Sequence, residues 1–157
     1  MILINIVLYE PEIPQNTGNI ARLCAATLCN LHLIEPLGFH LDDRHLRRAG
    51  LDYWPLVKVY RYLDFDEFLQ ARQTEQARFF FLTTKAKKSY TDVAYQKDDY
   101  LVFGPETRGL PPEVLARQPE HNLRIPMRDE ARSLNLSNSV AIVLYEALRQ
   151  TGFSDLR

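Results

Sequence analysis

Disulfide-forming cysteines, long apolar runs and an excess of charge of either sign are all missing from this 157-residue sequence. Its two cysteines, Cys24 and Cys29, are too few for a disulfide framework, and on a predicted helix they would not face one another. No segment is long enough to cross a bilayer, and the N-terminal apolar run has neither a basic region before it nor a small-residue cleavage site. We therefore expect a cytoplasmic protein with no membrane association.

The near-neutral charge also limits how the protein can bind nucleic acid. A formal net charge of -1 and a pI near 6.4 exclude binding by bulk positive charge, so any such role must depend on a local basic patch. Low-complexity tracts and internal repeats are absent as well. The length suits one ordinary domain, and we expect a single domain over residues 1–157 that buries its core without disulfides or metals.

What the sequence does contain is a regular alternation of apolar runs and amphipathic segments. Residues 3–9 are almost continuously apolar and rich in Ile and Val, which is typical of a strand buried on both faces of a parallel sheet. The alternation predicts an α/β protein with a mostly parallel sheet flanked by helices. Further strands are predicted at 31–34, 57–60, 78–83, 100–103 and 123–125, and helices at 17–28, 42–49, 64–73, 112–117 and from Asn135 or Ser137 to about 150.

The last predicted helix is unusually apolar. Between Val140 and Leu148 it carries a single charge, Glu146, which is too little polar surface for a helix with one face in water. We therefore expect two coverings for this helix: its own sheet and a second surface.

Ligands of parallel sheets bind outside the carboxyl ends of the strands, and four loops qualify by that rule: 16–22, 83–88, 104–109 and 127–138. The 104–109 loop matches neither a P-loop nor a dinucleotide fingerprint, so its spacing alone indicates an ordinary turn. In the alternative interpretation Gly104 and Gly109 let the backbone approach a ligand, while Glu106 and Arg108 project into the site.

The segment that opens the first helix also has two interpretations. Asn16 or Thr17 caps the helix and Arg22 is a solvated cation, or else Asn19 and Arg22 share a face that lies on the ligand side. The histidines have no metal-ligand spacing with the cysteines, so no metal is expected. The basic residues form ordinary solvated faces or one phosphate-binding surface. They are Arg22, Arg44, Arg47, Arg48, Lys85, Lys87, Lys88, Arg108, Arg128 and Arg132.

Three ordered segments, at 16–26, 103–111 and 125–139, resemble the three motifs of the SPOUT class of methyltransferases. They read Asn-Thr-Gly-Asn-Ile-Ala-Arg-Leu-Cys-Ala-Ala, Phe-Gly-Pro-Glu-Thr-Arg-Gly-Leu-Pro, and Ile-Pro-Met followed by Ser-Leu-Asn-Leu-Ser-Asn-Ser. Over its whole length, including 9–19 and 47–53, the chain is similar to the small bacterial enzymes that methylate the ribose 2'-hydroxyl of the tRNA wobble nucleotide.

The resemblance implies a deep C-terminal trefoil knot, made by the segments around 104–109 and 125–137, that holds S-adenosylmethionine mainly through backbone contacts. It implies methylation of C34 or U34 in the anticodon stem-loop of leucine tRNAs, with S-adenosylhomocysteine as product and no metal. It also implies a homodimer formed through the C-terminal helix, which would supply the second covering expected above. The cofactor residues carried over by motif are Leu82, Gly104, Ile125, Ser133 and Leu134.

The resemblance assigns Arg22 to activation of the 2'-hydroxyl, with Asn16, Glu106, Ser133 and Asn135 ordering the site. A free guanidinium has a pKa above about 12 and is a poor base. Arg22 is therefore either a proton acceptor in an unusual environment or a cation that stabilises charge developing on the oxygen. The residues expected to bind tRNA are Arg47, Arg48, Lys87, Lys88 and Arg132.

Alternatives to this function remain within and outside the enzyme class. Similar motifs occur in enzymes that methylate ribosomal RNA or other tRNA positions, and a noncatalytic dimeric RNA-binding protein with the same fold is the alternative from another class. Tyr145, on the last helix, belongs to the interface alone or also supports the neighbouring active site.

Overall fold

The computed structural model describes residues 4–42, 44–50 and 53–157, without the side chains at positions 47, 49 and 50. Its centre is a seven-stranded sheet in which all described pairings are parallel. The strands are β1 (Asn5–Tyr9), β2 (Asn30–Ile34), β3 (Val59–Tyr62), β4 (Phe79–Leu82), β5 (Lys88–Ser89), β6 (Tyr100–Phe103) and β7 (Asn122–Arg124). They lie side by side in the order β3-β2-β1-β6-β4-β7-β5.

Helices follow most of the strands, as the α/β pattern requires. They are α1 (Pro14–Thr27), α2 (Arg44–Gly50), α3 (Phe65–Arg72), α4 (Pro112–Leu115) and α5 (Leu136–Gln150), with short 3-10 helices at Trp54–Leu56 and Pro119–His121. None of the helices in the described ranges is long and apolar enough to cross a membrane.

The sheet is buried on both faces, which explains why its strands are so apolar. In β1, Ile6 and Leu8 pack into one hydrophobic cluster with α1 and α5, while Val7 points to the opposite cluster with α3 and α4. Successive side chains of a strand point to opposite faces, so a strand covered twice needs apolar residues at every position. The predicted α/β class with a parallel sheet is confirmed.

Several predicted boundaries were wrong for identifiable reasons. Helix α1 begins at Pro14, with Ile13 as its N-cap, so Asn16 and Thr17 are inside the helix rather than capping it. Proline suits the first helical turn because it has no N–H to leave unpaired. Strand β3 is shifted by two residues at both ends, since the predicted 57–60 is observed as Val59–Tyr62, after the 3-10 helix Trp54–Leu56. Helix α4 ends at Leu115, two residues before the predicted Arg117.

Two further differences concern the basic segments. Helix α2 begins at Arg44 and so excludes Asp42 from its first turn, while the predicted contribution of Asp43 lies outside the described residues. The segment 85–88 was predicted as loop throughout, but Lys88 pairs with Leu123 as part of β5 at the margin of the sheet. A two-residue strand containing lysine has no hydrophobic periodicity by which sequence could identify it.

Helix α5 begins at Leu136, which resolves the open choice between Asn135 and Ser137 in favour of Asn135 as the cap. The Asn135 side-chain oxygen accepts hydrogen bonds from the backbone N–H groups of Ser137 (2.9 Å) and Asn138 (3.2 Å). One face of α5 is buried in the core by Val140, Val143, Leu144, Ala147 and Leu148.

The opposite face of α5 is apolar but uncovered in the single chain. Ile142 and Tyr145 are 37% and 46% exposed, and Phe153, 40% exposed, lies beside Tyr145 with 6.3 Å between the ring centroids. Of the two coverings expected for α5, the described part of this chain therefore supplies only the one on the sheet side.

The strand order determines where a ligand site forms. Strand β1 lies between β2 and β6. After β1 the chain crosses to β2 on one side, whereas after β6 it crosses toward β7 on the other side. Loops that leave the sheet in opposite directions open a crevice at the carboxyl ends of the strands. The loops after β4 and β7 adjoin the same place, because β4 lies between β6 and β7. The knotted path implied by the resemblance stays a prediction.

Candidate active site

A cavity of about 490 Å³ lies at the carboxyl ends of β4, β6 and β7, beside the beginnings of α1 and α5. Its volume is in the range of sites that bind small molecules, roughly 300–1,000 Å³. The residues that line it come from loops distant in sequence, so the cavity exists only in the folded chain. They include all the predicted cofactor residues, Leu82, Gly104, Ile125, Ser133 and Leu134, and also Asn16, Glu106, Arg132 and Asn135.

The 104–109 loop folds tightly onto itself and requires glycine for two different reasons. A Cβ at Gly104 would lie 2.4 Å from Gly109 C and from Leu110 N, a distance at which the backbone would have to move. Gly109 has a φ of +69°, which side chains disfavour, but a Cβ there would meet nothing within 4 Å. The loop is thus a tight turn and also part of the cavity wall, which unites the two interpretations.

Glu106 is one of the residues that line the cavity, but its carboxylate is already bound by groups of the facing loop and helix. Its carboxylate accepts hydrogen bonds from the backbone N–H groups of Glu12 and Ile13, each at 2.8 Å, and from Asn16 Nδ2 at 3.1 Å. N–H groups at the start of a helix lack partners within the helix and favour a negative charge. Glu106 therefore caps the entry to α1 from across the crevice.

Glu12 makes the reciprocal contact. Its carboxylate accepts from the backbone N–H of Thr107 at 2.9 Å and from the Thr107 hydroxyl at 2.8 Å. These bonds, the backbone one first, hold the pKa of Glu12 below its usual value. Glu12 and Glu106 together join the loops after β1 and β6. The sequence interpretation overlooked Glu12, since an acid between prolines is usually a solvated loop residue.

Asn16 and Asn135 extend this arrangement to α5. The Asn135 side-chain N–H donates to Asn16 Oδ1 at 3.2 Å, while Asn135 Oδ1 accepts from the N–H groups that begin α5. Asn16 is only 5% exposed. We call Glu12, Glu106, Asn16 and Asn135 the edge network, because it fixes two loops and two helix beginnings at the carboxyl edge of the sheet.

Arg22 lies outside the residues that line the cavity. It is six residues beyond Asn16 on α1, about 9 Å along the axis, and its side chain is exposed. Its guanidinium carbon lies 4.8 Å from the centroid of the Tyr53 ring. The predicted grouping of Arg22 with Asn16, Glu106 and Asn135 therefore does not form one cluster within a single chain.

The basic residues divide into paired and unpaired sets. Arg108 pairs with Glu10 at 3.3 Å and is also one of the residues that line the cavity. Arg128 pairs with Glu130 at 3.1 Å. Lys85 and Arg132 line the cavity. Lys87, Lys88 and Arg48 are exposed, while the side chain of Arg47 lies outside the described residues. Lys85 was absent from the predicted binding set, although its place in the basic segment after β4 was the signal that marked it.

Across the described residues, no group of three or more His, Cys, Asp or Glu side chains is arranged to hold a metal ion. Both cysteine thiols are buried, and burial raises the pKa of Cys29 to about 11, so the thiol stays protonated near neutrality. The polar groups that line the cavity are backbone amides, hydroxyls, carboxamides, the Glu106 carboxylate and the cations Lys85, Arg108 and Arg132.

Known proteins resemble this chain over nearly its whole length. The model of the SpoU rRNA Methylase family matches residues 3–145. A tRNA (cytidine(34)-2'-O)-methyltransferase of Escherichia coli (strain K12) is 56% identical over 152 residues, with 96% of each chain covered. A relative of the same name in Yersinia pestis is 54% identical over 155 residues, again with 96% of each chain covered.

Solved structures with a similar fold also resemble this chain in sequence. One that describes structural insights into the 2-OH methylation of C/U34 on tRNA has a TM-score of 0.90 at 49% identity, covering 94% of this chain and 95% of that chain. An AdoMet-bound rRNA methyltransferase from Sinorhizobium meliloti has a TM-score of 0.84 at 26% identity, covering 94% of this chain and 56% of that chain. Since both the family model and the relatives match nearly from end to end, this chain belongs to the SpoU rRNA methylase family.

Proposed function

We propose that this protein methylates the ribose 2'-hydroxyl of the wobble nucleotide, C34 or U34, of tRNA, with leucine tRNAs as substrates and S-adenosylmethionine as methyl donor. The observation that carries the proposal is the convergence of the predicted cofactor residues on one cavity beside the edge network. The names of the relatives that match nearly the whole chain support the same reaction. Residues 1–157 act as one methyltransferase domain.

The cavity suits S-adenosylmethionine in size and chemistry. Leu82, Ile125 and Leu134 offer apolar surface to a flat base, and the Gly104 backbone and the Ser133 hydroxyl offer polar contacts. When bound there, the cofactor supplies a methyl group on a positively charged sulfur. A deep trefoil knot at 104–109 and 125–137 would hold these loops around the cofactor without further side-chain contacts.

The edge network keeps the cavity in shape for two bound reactants. Its carboxylates and amides are occupied by backbone N–H groups, by the Thr107 hydroxyl and by one another, so they order the loops instead of exchanging protons. Much of the catalysis then comes from orienting the 2'-hydroxyl and the methyl donor. Arg22 acts on the 2'-hydroxyl either as proton acceptor or as a cation that stabilises the developing oxyanion.

The RNA surface extends from the mouth of the cavity. Lys85 and Arg132 are at the cavity, Lys87 and Lys88 continue the same segment, and Arg48 is on α2, which packs against α1. Cations spaced along a path bind phosphates and place the anticodon stem-loop without reading its bases. Arg47 belongs to this set by sequence.

The second covering of α5 is another copy of the chain. The exposed residues Ile142, Tyr145 and Phe153 form an apolar strip on the side of α5 away from the sheet. Tyr145 contributes to this interface and from there also supports the neighbouring active site. Light scattering at micromolar concentration should give twice the chain mass, and a monomer would refute this assembly.

The direct test incubates purified protein with total tRNA and labelled cofactor, and then maps the modified nucleotide. We expect label at the 2'-oxygen of nucleotide 34, and none with Arg22→Ala, whose cofactor affinity by calorimetry should match the parent's. Label in ribosomal RNA, or at another tRNA position, would replace the proposed substrate. Methylation by Arg22→Ala at the parent rate would refute both roles of Arg22.

A further inference from the structure

The side chain of Arg22 is held by an aromatic ring that the resemblance did not assign to the site. Its guanidinium carbon lies 4.8 Å from the centroid of Tyr53, which is half-buried and directly precedes the 3-10 helix Trp54–Leu56. That short helix is anchored, because Trp54 packs against the main hydrophobic cluster that includes α1. The ring therefore belongs to a fixed part of the structure, while Arg22 would otherwise be a long exposed side chain.

From this geometry we infer that Tyr53 is a positioning residue that holds the Arg22 guanidinium ready for the substrate. The inference rests on the proposed function, in which Arg22 acts on the 2'-hydroxyl. Tyr53 does not touch the reacting atoms and works only through Arg22.

The type of contact matters for what Arg22 can still do. A guanidinium has donor N–H groups around its edge and no donors on its faces, and an aromatic ring attracts the cation electrostatically across the ring face. A carboxylate partner would instead take up the donors in a bidentate pair. Tyr53 therefore restricts the motion of Arg22 while its N–H groups stay available to a ribose oxygen or a phosphate.

The contact uses the ring and not the hydroxyl. No described residue forms a hydrogen bond with the Tyr53 hydroxyl, and the measured contact is from the guanidinium to the ring centroid. Phenylalanine presents a similar ring face, whereas leucine fills part of the volume without one. The two substitutions thus separate positioning from simple filling of space.

A matched control exists elsewhere in the chain. Tyr60 is also half-buried and also stacks on an arginine, with Arg72 at 4.3 Å from the ring centroid, but this pair lies on the side of the sheet covered by α3. Tyr60→Leu removes the same kind of contact away from the cavity. It should lower thermal stability without changing kcat of the folded enzyme.

The kinetic test compares the parent with Tyr53→Phe, Tyr53→Leu and Tyr60→Leu in single-turnover and steady-state methylation of tRNA. Tyr53→Leu should lower kcat about tenfold, since a misplacement of about 1 Å can cost up to about 100-fold. KM for tRNA and the cofactor Kd should stay within about twofold of the parent. Tyr53→Phe should have the same kcat as the parent. A parent-like kcat in Tyr53→Leu, or an equal fall in Tyr60→Leu, would overturn the inference.

A second readout does not depend on turnover. In the free protein, the Nε–H proton of Arg22, assigned by its loss in Arg22→Ala, should show a ring-current shift in NMR spectra. The shift should persist in Tyr53→Phe and vanish in Tyr53→Leu, and its absence from the parent would overturn the inference. If the shift is present but tRNA is not methylated, the proposed function fails and the placement of Arg22 by Tyr53 stands.

Discussion

Two polar networks of similar size lie in different parts of this molecule and serve different ends. The edge network joins loops at the carboxyl edge of the sheet, and three of its members, Asn16, Glu106 and Asn135, line the cavity. The interior network, which we define as Asn5, Asn30, His32, Tyr62 and Arg72, lies along β1, β2 and β3 toward their α3 side.

The interior network has a single consistent set of donors and acceptors. Asn5 Oδ1 accepts from Asn30 at 3.2 Å and can only accept, so His32 Nε2 at 3.0 Å must carry its proton. His32 Nδ1 therefore accepts from the Tyr62 hydroxyl at 2.9 Å, and that hydroxyl accepts from Arg72 Nε at 2.7 Å. His32 is fully buried, and burial lowers its pKa to about 3.

The two networks differ in the donor groups from which their acceptors take hydrogen bonds. In the interior, side chains satisfy one another between packed layers, and all of them except Arg72 are buried. At the edge, the Glu106 carboxylate accepts from backbone N–H groups at the entry to α1, and the Asn135 amide oxygen accepts from those that begin α5. A change in the interior network should therefore alter stability alone, while a change at the edge should alter the shape of the cavity as well.

The largest effect is expected at Gly104, where the loop at the carboxyl edge of the sheet has no space for a side chain. Gly104→Ala places a methyl group against the backbone of Gly109 and Leu110, so the loop must move. We expect a loss of about 3 kcal/mol or more in unfolding free energy and no measurable cofactor binding. Gly109→Ala is the control: it adds only the left-handed strain of about 1 kcal/mol, since its Cβ meets nothing. Equal effects of the two substitutions in urea unfolding and calorimetry would contradict the steric argument.

An intermediate effect is expected from His32→Phe in the interior network. The phenyl ring keeps the aromatic packing but removes hydrogen bonds to Asn5 and Tyr62, at a cost of about 1–3 kcal/mol. Cofactor affinity and kcat of the folded protein should not change, as measured by calorimetry and methylation assay. A fall in kcat would show that the interior network also serves the site.

The same variant should alter how stability depends on pH. The pKa of His32, about 3 in the fold, lies below the ordinary value near 6.5, so on acidification the unfolded chain binds a proton that the folded chain does not. The stability that comes from this pKa difference is fully present above pH 6.5. It is lost as pH falls toward 3, by up to about 1.4 kcal/mol per pH unit. Urea unfolding at pH 5 and 7 should show a smaller difference in His32→Phe than in the parent.

The smallest effect is expected from Glu12→Gln, which keeps the shape of the side chain but removes its charge. Stability at pH 7 should fall by less than about 1 kcal/mol, because the hydrogen bonds with Thr107 are exposed to solvent. Because the pKa of Glu12 is lower in the folded protein than its ordinary value, the charge stabilises the fold at pH above the ordinary pKa. This stabilisation is lost as pH falls through the lowered pKa of the folded protein. The parent and variant should therefore converge in stability at low pH. A constant difference down to pH 2 would exclude the carboxylate as the cause.

The elements predicted well from sequence are those whose signal is local. Strand β6 was predicted at its observed bounds, and the apolar run that became β1 was correctly interpreted as a strand buried on both faces. The cap of α5 was one of two predicted residues, because Asn135 satisfies N–H groups only a few positions along the chain. Periodicity and capping are short-range properties, so the sequence reports them directly.

The site was predicted less completely, since its contacts join distant parts of the chain. Glu106 reaches Ile13 and Asn16 across about ninety positions, and Asn135 reaches Asn16 across more than a hundred. The cap position that sequence assigned to Asn16 or Thr17 is occupied by Ile13, whose N–H donates to Glu106. Spacing along the chain contains no signal for such pairs, and Tyr53 beside Arg22 was overlooked for the same reason.

By itself, the sequence determined the class of the fold, the segments that carry the site and, through its motifs, the family. Only the tertiary structure decided that Glu106 is a helix cap, that Arg108 turns to Glu10, that Arg22 rests on Tyr53, and that one face of α5 is left bare. Hydrophobic periodicity depends on neighbours within a few positions, whereas satisfaction of polar groups depends on whichever loops the sheet order places side by side.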